Sequence, residues 1–176
     1  MKMIEREWQN KAWDMIYKQR KIKKAINYLN EFIKENPQND QAFAIKANAL
    51  NQLASDTKNW DYTVKALRYT EKALQINPNN ETALFNKAWS LVDLGRPTEA
   101  LEYADTALVI NPNNIYAWYN KAWAHHLLHQ IEEALRCCDK MIEINLEFTE
   151  WAGKMKNRIK NREYPEHLAK FSVRVR

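Results

Sequence analysis

Asn77-Pro78-Asn79-Asn80 is followed by Asn86-Lys87-Ala88-Trp89, and both words return as Asn111-Pro112-Asn113-Asn114 and Asn120-Lys121-Ala122-Trp123, 34 residues later. Tryptophan is too rare for chance to explain this, so the words mark a period. Working outward, Asn36-Pro37-Gln38-Asn39 lies 41 residues before the first quoted word, Asn145-Leu146 lies 34 after the last Asn111, and Asn10-Lys11-Ala12-Trp13 repeats the tetrapeptide near the start. Four units follow, at about 4–39, 40–80, 81–114 and 115–148, with seven extra residues in the longer interval.

Each unit reads as two helices. In the third, Leu84, Ala88, Leu91 and Val92 form one stripe at amphipathic helical spacing. Gly95-Arg96-Pro97-Thr98 then supplies stop and start signals in the right order, with Glu99 in the next first turn. The following helix runs from about Pro97 to Ile110 and ends at Asn111-Pro112, because proline disfavours helical geometry in the residue before it. Composition agrees: among 176 residues, 45% are hydrophobic, seven are Trp and only two are Gly, which is too few for the tight turns of a sandwich or barrel. The fold class is therefore all-α.

Inner columns repeat from unit to unit. First helices align Trp8, Phe43, Leu84 and Trp118, then Ala12, Ala47, Ala88 and Ala122. Second helices align Ala25, Ala66, Ala100 and Ala134, then Phe32, Ala73, Ala107 and Met141. Alanine lets backbones approach while large side chains fill gaps. The second unit stretches its inter-helix turn around residues 54–60, which predicts a longer helix or a projecting loop. After the last unit, Thr149 can cap a further helix to about Glu163, with Trp151, Met155 and Ile159 as a narrow apolar stripe suited to closing a stack. Tyr164-Pro165 stops it, and Phe171-Ser172-Val173-Arg174-Val175-Arg176 alternates in a strand-like way.

These columns resemble the tetratricopeptide repeat, a 34-residue helix–turn–helix family with the signature Trp-x2-Leu-Gly-x2-Tyr, Ala-x3-Phe and Pro. Trp118, Ala122, His125, Ala134, Cys138 and Leu146 stand at the signature places of the last full unit, while the third keeps Gly95, Ala100 and Pro112. The resemblance implies a right-handed superhelical solenoid of antiparallel helix pairs, about nine helices in all. The repeat domain spans 1–163, with a capping helix at 149–163 and a basic tail at 164–176.

The resemblance also implies a concave wall built by the first helix of each pair. Aligned on the tetrapeptide, that wall shows Trp13 and Tyr17, then Asn48 and Gln52, then Phe85, Asn86 and Trp89, then Tyr116, Tyr119, Asn120 and Trp123. It suits an extended peptide or partner helix, since aromatics offer apolar area and asparagine both donates and accepts. The alternative is that the tryptophans fill crevices between helices and the asparagines are ordinary repeat residues. One subgroup of the family clamps terminal carboxylates with basic residues on successive first helices. Here Asn48 and Asn86 stand in its asparagine places, but the basic places hold Ala44, Tyr116 and Asn120, so a carboxylate lacks its charge-assisted partner.

His125 and His129 share a helical face, with Cys138 on the packed side of the next helix, a set that could in principle hold zinc. No acidic residue sits beside them as in the zinc-protease motif, and no metal or cofactor is expected. The chain carries no Gly-rich phosphate loop, nucleophile elbow or Cys-x-x-Cys pair. Cys137 and Cys138 are adjacent and poorly placed to bridge each other.

Charge is uneven. Residues 1–30 hold eight Lys and Arg against three Asp and Glu, residues 149–176 repeat those counts, and the middle holds 11 against 16. No secretory leader or membrane-spanning run is evident, so a cytoplasmic location is expected. The expected function is a non-enzymatic adaptor binding a peptide or partner helix in an aromatic groove. The alternatives are RNA or ribosome association through the basic C-terminal helix and tail, and self-association.

Overall fold

The structure is a computed structural model that describes residues 2–168. The alternating run 171–176 lies outside the described residues, as does the end of the basic tail. Nine α-helices occur among the described residues: α1 Lys2–Trp13, α2 Ile22–Glu35, α3 Asp40–Thr57, α4 Asp61–Ile76, α5 Glu81–Asp93, α6 Pro97–Ile110, α7 Ile115–Leu127, α8 Ile131–Ile144 and α9 Thr149–Lys160. No described helix is long and apolar enough to cross a membrane. The chain forms two compact units, Met1–Ser90 and Leu91–Arg176.

The Asn-Pro words work as paired caps. Asn36, Asn77 and Asn111 end α2, α4 and α6, each N–H donating to the carbonyl four residues back at 2.9 Å. All three have the extended or near-extended backbone that a following proline favours. The last asparagine of each word then caps the next helix: Asn39, Asn80 and Asn114 accept from Ala42, Ala83 and Ala117 N–H at 2.9, 2.8 and 2.8 Å. A two-residue turn is thus pinned on both sides, which is why the word recurs.

The opposite ends share a different device. Gly95, His129 and Arg162 all have positive φ. At each, the following N–H reaches back five residues, from Arg96 to Leu91, Gln130 to His125 and Glu163 to Arg158. The residue itself donates three back, closing a Schellman motif. Glycine marks the turn once in sequence, but the geometry occurs three times.

In unit 1, Trp8, Ala12, Ile16, Ile22, Ala25, Leu29, Ala42, Ile45, Ala49 and Leu53 form one buried cluster, with Phe32 stacked on Trp8 at 4.2 Å. Ala47, Leu50 and Ala66 form a second cluster. The first repeat departs from α geometry: residues Asp14–Lys18 are π-helical, with Gln19 N–H donating to Asp14 O and Lys21 N–H to Met15 O. The wider turn absorbs one extra residue, since Ala12 and Ala25 are 13 apart where Ala88 and Ala100, and Ala122 and Ala134, are 12 apart. The stretch at 54–60 lengthens α3 to Thr57 and leaves a three-residue turn at 58–60 rather than a projecting loop. α3 has 18 residues and α4 has 16, against 13 and 14 for α7 and α8. Lys58 turns the chain in the left-handed region.

In unit 2, Ala100, Ala104, Ala107, Ala117, Ala122, Ala134 and Met141 are fully buried. Ala152, Met155 and Ile159 bury the inner stripe of α9. The expected cap at Thr149 is replaced by another arrangement. Asn145 caps a short 3-10 turn, Leu146–Phe148, by accepting from Glu147 N–H at 2.9 Å, and Thr149 is already helical. Its hydroxyl donates to Leu146 O. The helix ends at Lys160, before the expected Glu163, because the Arg162 motif turns the chain there.

Candidate functional site

In unit 1 the asparagines of the predicted wall face one another. Tyr17 Oη donates to Asn48 Oδ1 at 2.8 Å, and Asn48 Nδ2 donates to Asn86 Oδ1 at 3.0 Å. Asn86 Nδ2 donates in turn to Thr82 O at 2.8 Å and Ala44 O at 3.4 Å. Asn51 Nδ2 donates to Asn86 O at 3.2 Å, and Ser90 Oγ lies 2.9 Å from Asn51 Oδ1. Asn48, Asn51, Asn86 and Ser90 are all buried. A side-chain ladder therefore ties α3 to α5, and Tyr17 extends it to the first repeat. Satisfied buried networks of this kind fix one arrangement of neighbouring helices.

Aromatic side chains flank the ladder. Trp13 and Trp89 are half-buried, Gln52 is half-buried, and Phe85 is buried. Tyr17 is 42% exposed and stacks on Trp13 at 5.7 Å.

In unit 2 the predicted residues meet the chain's own C-terminal segment. Trp151 stacks on Tyr119 at 4.2 Å and lies edge-on to Tyr116 at 6.4 Å. Burial is the main cause that raises the Tyr119 phenol above its ordinary pKa. Arg158 sits over the Trp123 ring at 5.2 Å, and Trp123 is buried. Beyond α9, Tyr164 stacks flat on His126 at 4.4 Å, and the Tyr164 hydroxyl lies 3.0 Å from His129 Nδ1. His126 Nε2 lies 3.0 Å from Glu163 O, so the neutral ring donates there. Leu168 is fully buried. Tyr116 remains 49% exposed, and Asn120 is buried.

The histidine and thiol set is drawn into separate contacts. His125 Nδ1 lies 2.5 Å from Gln130 Oε1, while His129 meets Tyr164. Cys137 and Cys138 are buried, and burial pushes their thiols up to about 11 and about 12. Among the described residues no group of three His, Cys, Asp or Glu side chains could hold a metal ion.

The residues missed by sequence reasoning are Asn51, Ser90, His126, Arg158 and Tyr164. None stands in the repeated word, and each acts through a partner in a different helix or segment.

Residues 81–114 and 115–148 each match the tetratricopeptide repeat. These two segments are tetratricopeptide repeats. Solved structures share the fold of these repeats. A thermophilic tetratricopeptide-repeat protein of Thermus thermophilus superposes with a TM-score of 0.70, at 15% identity over 86% of this chain and 77% of that one. MamA residues 41 to the end, from Desulfovibrio magneticus RS-1, gives 0.61 at 17% identity over 94% and 92%. The TPR2B domain of yeast Sti1, in a complex with pHsp70, gives 0.56 at 18% identity over 68% and 98%. No curated protein sequence matches the chain significantly. The described helices make four such helix pairs followed by α9, whose inner stripe closes the last pair.

Proposed function

We propose that the chain is a non-catalytic interaction scaffold that binds a peptide segment or partner helix on the first-helix face of its repeats. The repeat family supports a scaffold, and the Sti1 neighbour is a protein complex with pHsp70. The observation that carries the finer reading is the unit 1 face itself. Trp13, Tyr17, Gln52 and Trp89 keep accessible edges around a buried amide ladder. Rigid aromatic edges beside a fixed polar backbone give an apolar partner contact area at small entropic cost. Asn48, Asn86 and Asn120 hold the wall, and the aromatics touch the ligand. Tyr116 serves unit 2, whereas Tyr119, Trp123 and Phe85 support from beneath.

The basic α9 fits a packing role better than nucleic-acid contact. Lys154 pairs with Glu150 at 2.6 Å, Lys156 pairs with Asp139, and Arg158 lies over Trp123. Phosphate-driven binding needs such cations free.

A displayed peptide library selected on the intact chain tests the proposal. Sequences with spaced apolar anchors should be enriched, and Trp13→Ala with Trp89→Ala should lose them while far-ultraviolet circular dichroism stays unchanged. Equal capture by the double variant rejects the assigned face.

A further inference from the structure

In the third and fourth repeats the lysine of the repeated tetrapeptide meets a carboxylate of the preceding helix, whereas Lys11 of the first copy lies over the Tyr28 ring at 4.7 Å. Lys87 lies 3.7 Å from Glu71 and Lys121 lies 2.5 Å from Asp105. In each case the carboxylate stands six residues before the Asn of the Asn-Pro word, and the lysine ten after it. In the second repeat the lysine is Lys46, and the same offset from Asn36 places Asn30 where the carboxylate belongs. Lys46 is 7% exposed, and its Nζ sits 3.8 Å from the centre of the Tyr69 ring. Among the described residues it has no ion pair.

Both Asn30 and Lys46 line a cavity of about 380 Å³ between α2 and α4, floored by α3. Lys23 and Lys65 also line it, and no Asp or Glu does. Leu50 and the Tyr62 and Tyr69 rings give it an apolar wall. Lys46 and Asn48 are two residues apart on α3, so the cavity lies on the opposite side of that helix from the predicted wall.

We infer that this cavity is an anion site, in which a phosphomonoester occupies the place that Glu71 and Asp105 fill beside the equivalent lysines of later repeats. A buried ammonium without a counter-charge is costly, and a ligand oxyanion removes that cost. Three lysines lining a cavity that no Asp or Glu lines favour a dianion over a monoanion. The tyrosine and leucine wall accommodates a planar or aliphatic group attached to the phosphate. The site is independent of the proposed partner-binding face.

Titration of the full chain with phenyl phosphate, followed by amide chemical shifts, tests the inference. Shifts at Lys46, Tyr62 and Tyr69 should saturate with a Kd on the order of 1 mM. Benzoate, a monoanion with the same ring, should bind more weakly. Asn30→Asp restores the missing carboxylate without removing a packed group, and it should weaken phenyl phosphate by about tenfold or more. Lys46→Met should do the same, whereas Trp13→Ala with Trp89→Ala should leave binding intact. A phosphotyrosyl pentapeptide run alongside identifies the source: tighter binding assigns the phosphate to a protein side chain, and equal binding to a small molecule. No saturable shift at these residues, benzoate binding as well as phenyl phosphate, or unchanged affinity in Asn30→Asp would overturn the assignment.

Discussion

Replacing Asn86 by Ala separates the two roles open to the repeated asparagines. The Asn86 carboxamide is fully buried and links Asn48 on α3 to the carbonyls of Thr82 and Ala44. Thr82 O and Ala44 O keep their helical partners when the side chain is cut back, but Asn48 Nδ2 loses its acceptor. A buried donor without a partner costs about 1–3 kcal/mol. The vacated carboxamide adds a small cavity, giving a total of about 2–3 kcal/mol. Urea unfolding followed by circular dichroism reads this directly, with Asn48→Ala and the double variant completing a cycle. Because the two side chains bond to each other, the cycle should show a coupling of about 1 kcal/mol. A loss below about 0.5 kcal/mol, or additive single effects, would show that the ladder does not hold the repeats and would return these asparagines to the binding surface.

Gly153 lies inside α9, and a Cβ built there meets nothing within 4 Å. Gly153→Ala should therefore stabilise by about 0.5–1 kcal/mol, seen as a higher melting temperature. Cys137 and Cys138, with thiols raised by burial to about 11 and about 12, should resist iodoacetamide at pH 8 until urea is added. Labelling of the native chain at the rate of a free thiol contradicts their burial. His126 is held below its ordinary value of 6.5, chiefly by burial, with His129 and Arg158 also opposing its charge and only the Glu163 carbonyl favouring it. A depressed histidine adds stability that is present above pH 6.5 and is lost as pH falls through the folded value. Denaturant midpoints should fall on acidification below that pH, and His126→Phe should flatten part of this slope. An unchanged slope in the variant assigns it elsewhere.

The repeat was legible because its caps are spelled in side chains. Each Asn-Pro word contains the residue that ends one helix and the residue that starts the next. The bounds of α6 follow directly from Pro97 and Asn111. The Schellman turns at His129 and Arg162 were not legible, since a histidine and an arginine take a backbone conformation that only Gly95 advertises. The π-helical turn at Asp14–Lys18 has no side-chain signature either. The wall residues were assigned through the resemblance, and an alignment of repeats reports a direction and says nothing of what stands opposite. Asn86 therefore read like a contact residue although its amide is spent on Asn48 and α3. Trp151 and Tyr164 come from segments outside the repeats, so no column in the alignment pointed to them.

The seven residues by which the second repeat exceeds the others are divided between α3 and α4, while the connecting turn stays three residues long. Each helix has grown from the end that faces the turn, so no side chain nearer the Asn-Pro caps has changed its direction. The new tip is used: Leu53 and Ala54 are buried, and Asp56 pairs with Arg20 at 3.0 Å. Added length at an Asn-Pro word would instead pull apart two caps that depend on their spacing. The α3–α4 tip is thus a permissive margin of the chain, where length has been added without disturbing the Asn-Pro joints that set one repeat against the next.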